Sequence, residues 1–107
     1  MIFIVVKFET NADWTERWPS LVERFTNATR AEPGNLWFDW SRSLENPAVY
    51  VLVEAFRDAD AGAAHVNSEH FKQAQKDLPK ALASTPKVIS ETVEATGWSD
   101  LAEMKVD

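Results

Sequence analysis

The chain contains no cysteine, which removes disulfides, thiolate metal sites and thiol nucleophiles together. It has only three glycines, too few for a glycine-rich phosphate loop, and this argues against a nucleotide or flavin fingerprint. No serine stands in a nucleophile-elbow motif. There is no basic run, and 11 basic against 17 acidic residues leave a net charge of −6. Such a chain is a poor partner for a phosphate backbone or an anionic membrane surface, so neither nucleic acid nor membrane is expected. No apolar run approaches the length of a bilayer span. The opening Met1-Ile2-Phe3-Ile4-Val5-Val6-Lys7 is apolar, but it is short for a signal peptide and no basic segment precedes it. The expected compartment is the cytoplasm.

What is present reads as one globular domain over residues 1–107, because 45% hydrophobic and 26% charged residues make an ordinary folding mixture. Two features stand out. Five tryptophans, Trp14, Trp18, Trp37, Trp40 and Trp98, demand more cover than a small interior offers. They suggest an interface, a ligand cavity, or both. The two histidines, His65 and His70, lie close together just past a predicted strand end. They are the side chains best suited to move a proton near neutral pH.

Alternation predicts a strand over residues 2–9. Asn11-Ala12-Asp13 signals a helix start, with Asp13 and Glu16 spaced as a capping pair. Trp14, Trp18, Leu21, Val22, Phe25 and Ala28 recur at helical spacing. Pro19 is awkward in a helix that begins at Trp14, so either the first turn is irregular or the regular helix begins near Trp18. Pro33-Gly34 ends it. Strands follow over 36–42 and 49–56, an antiparallel pair. Asp58 caps a short helix to about Val66, and Ser68 caps another that Pro79 bends or ends. A last strand spans 87–95, and a tail over 97–107 is placed to pack on a partner.

The order is β-α-β-β-α-β, with the second helical segment broken in two. This is an α+β, ferredoxin-like antiparallel sheet with helices on one face. The other face is expected to be polar if it meets water. Yet Phe3 and Val5 stand opposite Ile2, Ile4 and Val6, and Val49, Val51 and Val53 stand opposite Tyr50, Leu52 and Phe56. Apolar residues on both faces call for a second cover, most simply the same sheet of another subunit. A homodimer is therefore expected.

Glu32-Pro33-Gly34-Asn35-Leu36, Asn46-Pro47, Glu54-Ala55-Phe56-Arg57-Asp58, His65 and Ser68-Glu69-His70-Phe71 together resemble the antibiotic biosynthesis monooxygenase family, and within it the quinol monooxygenase group. The resemblance implies a dimeric α/β barrel and cofactor-independent oxidation of quinols or phenols by O2. Gly34-Asn35-Leu36, Phe38-Asp39, Glu54-Ala55, Asp58, Asp60-Ala61, His65 and His70 also resemble the isomerase of the phosphorylated autoinducer-2 signal. A haem-degrading branch fits poorly. His65 stands roughly where that branch has its Trp, and the first strand lacks an Asn.

Oxidation of this kind needs a base, a dry apolar pocket and donors for a developing oxyanion. His65 is the candidate base, with Glu54 as its catalytic companion. Trp37, Trp40, Phe56 and Phe71 are candidates to line the pocket and stack on a flat substrate. Asp39 and His70 are further candidates to meet it, and Asp39 and Glu54, on adjacent strands, are placed to orient a histidine or bind a hydroxyl. Each has a plainer alternative: a loop-bonded His65, an exposed His70, a Glu54 paired with Arg57 or Arg42, tryptophans that are simply core. No metal site and no cofactor are expected, since His65 and His70 are five apart rather than at the i, i+4 spacing of a helical pair. The expected partners are a second subunit, a small aromatic substrate and O2. An isomerase would instead need a cation for the phosphate, with Arg42, Arg57 and Lys72 as candidates. A non-catalytic dimeric ligand-binding domain would fill its own pocket with Trp37 and Trp40.

Overall fold

The computed structural model describes all of residues 1–107. Strand β1 (Ile2–Glu9) leads through two short helices, α1 (Trp18–Leu21) and α2 (Glu23–Arg30), to β2 (Asn35–Arg42) and β3 (Val49–Phe56). Helices α3 (Ala59–Val66) and α4 (Glu69–Asp77), then a 3-10 turn (Pro79–Ala81), lead to β4 (Lys87–Thr92). The four strands form one antiparallel sheet in the order β2-β3-β1-β4. Both halves thus cross over one sheet face, as expected of a ferredoxin-like fold.

The first helical segment is broken as well as the second. Asp13 and Glu16 lie in a run of turns, and the regular helix opens at Trp18 with Pro19 in its first turn. A proline there loses nothing, because that N–H has no helical acceptor. Glu16 instead holds Arg42 at 2.6 Å. The last strand stops at Thr92 rather than at residue 95.

Pairing fixes which side chains share a face. Ile4 opposes Glu54, Val6 opposes Leu52, Phe8 opposes Tyr50, and Phe38 opposes Glu54 from the other side. These residues face the helices. Their core is aromatic: the buried Trp18 ring lies 5.3 Å from Phe8, 5.8 Å from Trp40 and 6.1 Å from Tyr50. Val22, Phe38, Leu52, Ala74, Leu78 and Ala81 complete it. The opposite face carries Phe3, Val5, Trp37, Val51, Val53 and Ile89 in register. No helix covers it, and Ile89 is 69% exposed. In the tail, the Trp98 ring lies 5.3 Å from Trp37 on this open face.

Candidate functional site

Three successive local signals bring the chemistry together. The Asp58 side chain accepts from the Ala61 N–H and starts α3. Two turns on, this places His65 on the buried side of the helix. Ser68 accepts from the Phe71 N–H and starts α4, while its hydroxyl donates to the His65 carbonyl at 2.6 Å. The chain thereby turns sharply, and His70 faces the same point as His65. Gly34 lets the α2–β2 loop press onto α3: a Cβ there would lie 2.3 Å from the Ala61 Cβ. That approach delivers Glu32.

Glu32 is the centre of the cluster. Its Oε2 accepts from His65 Nδ1 at 2.8 Å and from His70 Nε2 at 2.6 Å. The bond from Nδ1–H fixes a tautomer in which His65 Nε2 carries the lone pair. Nε2 faces Glu54 Oε1 at 3.9 Å, too far for a hydrogen bond. His65 and Glu54 are both buried. Burial, chiefly, and then the charge of Glu32 push the Glu54 carboxyl up to about 7. Burial lowers the His65 pKa, against the opposing pull of its Glu32 bond. The imidazole is thus a neutral acceptor beside a carboxyl poised to give or take a proton.

Aromatic rings enclose His65. Phe56 lies 4.8 Å away, Phe71 5.1 Å, Phe25 5.8 Å and Phe38 6.1 Å between centroids. Phe25 and Phe71 also wall an apolar cavity of about 350 Å³, with Phe8, Leu78, Leu82 and Pro86 among its other walls. His65 stands behind these two phenyl rings rather than on the cavity surface. No basic residue lines the cavity.

Of the residues singled out in the sequence, His65, Glu54, Phe56, His70 and Phe71 come together here. Three do not. Asp39 pairs with Val53, so it points to the opposite sheet face from Glu54 and cannot act with it. Strand alternation, not strand adjacency, decides this. Trp37 lies on that same open face beneath Trp98. Trp40 faces the helices but is spent in the core, where its Nε1 donates to Thr26 Oγ1 at 2.9 Å. Glu54 has no arginine partner, since Arg42 binds Glu16 and Arg57 binds Asp58. Glu32 has a role that the sequence did not reveal, although it opens the Glu-Pro-Gly-Asn turn. Its oxygen and the two imidazole nitrogens are the group that could hold a metal ion, all within 4.8 Å of one another.

The four-stranded antiparallel sheet with helices on one face is of the α+β, ferredoxin-like class. The antibiotic biosynthesis monooxygenase family model matches residues 1–77, and the chain belongs to that family. Solved structures share the fold at low identity. A candidate antibiotic biosynthesis monooxygenase from Nitrosomonas europaea is 24% identical, with a TM-score of 0.81 over 89% of this chain and 100% of its own. One from Deinococcus radiodurans is 22% identical, with a TM-score of 0.80 over 94% and 100%. Rv0793 from Mycobacterium tuberculosis is 21% identical, with a TM-score of 0.81 over 90% and 98%. No curated protein matches the chain.

Proposed function

We propose that the protein is a cytoplasmic, cofactor-independent monooxygenase that oxidises a quinol or phenol with O2. The observation that carries this reading is the Glu32–His65–Glu54 line, with His65 Nε2 unbonded and a wholly non-basic apolar cavity beyond Phe25 and Phe71. His65 Nε2 takes the phenolic proton, reached by displacement of the partly exposed Phe71 ring. The resulting anion passes one electron to O2, and the radical pair joins as a ring-carbon peroxide. Glu54, when protonated, gives its proton to the peroxide and is reprotonated by the His65 imidazolium that it faces, so both groups return to their starting state. The O–O bond then breaks as the ring C–H proton leaves, giving a new carbonyl and water. The substrate supplies all four electrons, one oxygen atom ends in the product and the other in water. Exclusion of water by the aromatic walls favours the anion's reaction with O2.

The test is oxygen uptake by metal-stripped protein with hydroquinones and dihydroxynaphthalenes, against a protein-free control. His65→Ala should lower the enzymatic rate by about 10²–10⁴-fold. An unchanged rate would remove His65 as the base. The isomerase alternative is disfavoured by the same cavity. Arg57 and Lys72 are surface residues paired with Asp58 and Glu69, Arg42 is held by Glu16, and none lines it. A filled, non-catalytic domain is disfavoured because Trp37 and Trp40 are outside the cavity.

We further propose that the apolar open face pairs with the same face of a second copy, closing a dimeric barrel, with the tail after Gly97 contributing to that contact. The support is the set of apolar side chains Phe3, Val5, Trp37, Val51, Val53 and Ile89 on a face that no helix covers.

A further inference from the structure

We propose that Glu32, His65 and His70 bind a divalent transition-metal ion of the zinc class, and that its occupation takes His65 out of proton transfer. This goes beyond the oxygenase reading, in which no metal takes part.

The donor set is one carboxylate oxygen and two imidazole nitrogens, the ligand chemistry that suits zinc and its neighbours. The three atoms come from three separate segments, the α2–β2 loop, α3 and α4, and lie within 4.8 Å of one another. Around an ion with bonds of roughly 2.0–2.1 Å they would stand about 3.3 Å apart. The present N···O contacts of 2.8 and 2.6 Å therefore open slightly. The two nitrogens, now within 4.8 Å of one another, draw together around the ion. Three protein ligands leave a fourth position for water.

The surroundings suit an ion as well as the ligands do. Glu54 Oε1 lies 3.9 Å behind His65 Nε2, on the far side of the ring from Glu32. A carboxyl in that place is where metal-bound imidazoles commonly find a partner for their second ring nitrogen, and here the 3.9 Å gap must shorten to make that hydrogen bond. His70 gives access: its side chain is 25% exposed and lines an open groove between α2 and α4, where Glu23 and Asp77 outnumber Arg24. The ion competes with the protons that now link the trio through Glu32. Once His65 Nδ1 is a ligand, the ring proton resides on Nε2, facing Glu54, and the lone pair needed for the base is gone.

The experiment is calorimetric titration of metal-stripped protein with Zn²⁺, paired with the visible absorption of a Co²⁺ complex. The expected result is one ion per chain, with affinity at least tenfold weaker in His70→Ala and in Glu32→Gln. His70→Ala removes a partly exposed side chain, and thermal melting of the metal-free variants verifies that each is folded. Absence of saturable binding would overturn the proposal, as would binding undiminished in both folded variants, which marks an adventitious surface site. Binding is read without substrate, so failure of the oxygenase assay leaves this result intact and the reverse also holds. Where turnover is present, Zn²⁺ should abolish it and a chelator restore it; turnover that persists in the saturated protein would overturn the loss of His65 from proton transfer.

Discussion

A single oxygen of Glu32 ties together two imidazoles from different helices. The position of that oxygen depends on a residue with no side chain. With the Ala61 Cβ only 2.3 Å from where a Gly34 Cβ would be, Gly34→Ala forces the loop off α3. We expect a loss of roughly 1–3 kcal/mol in denaturant unfolding, typical of overpacking. The same variant should lose oxidation rate without any change at His65 itself. A stability loss with unaltered turnover would show that Glu32 does not depend on this contact. Sequence marked Gly34 as part of a turn and His65 as a candidate base. It was silent on Glu32 because a turn acidic residue carries no signature of its distant partners. It misplaced Asp39 because adjacency along strands says nothing of face until the register is known.

Helix starts were the most legible elements. Asp58 and Ser68 cap α3 and α4 as the sequence indicated, because each offers an oxygen to an otherwise unpaired N–H. Ser68→Ala should cost about 1 kcal/mol in unfolding free energy, and should loosen the turn that brings His70 to Glu32. Asp58 has a pH signature. The Ala61 N–H, first, and then Arg57 hold its carboxyl below the usual range. A group depressed in the folded state stabilises above its unfolded pKa, and that contribution is lost as pH falls through the folded pKa. The melting temperature of Asp58→Asn should thus lie below that of the parent near neutrality, with the gap closing in acid. A gap of constant size would assign the effect to packing. The first helical segment was harder to place. Asp13 and Glu16 have the spacing of a capping box, but Pro19 and the burial of Trp18 favour a later start.

At the scale of the molecule, the element order could be inferred from strand runs, helical spacing and caps, and the two-sided sheet from strands that are apolar on both faces, because a sheet covered on both sides loses the polar half of its alternation. The cavity could not, since Phe8, Phe25, Phe71 and Leu82 come from four distant segments. On the open face Val5 lies between Val53 and Ile89. A charge at its centre tests the pairing of two sheets. Val5→Glu should convert a dimer to a monomer in sedimentation velocity, with the helix-side core undisturbed. A parent protein that sediments as a monomer would refute the paired barrel.

The contact between Trp98 and Trp37 gives the tail an optical consequence. Trp18 is fully buried, whereas Trp98 is 76% exposed, so their emission should fall at different wavelengths. Replacing Trp98 with Phe would subtract the red, quencher-accessible part of the spectrum and leave the interior signal. The difference between the two proteins then records, in solution and without a label, when the end of the chain leaves the sheet or becomes covered there.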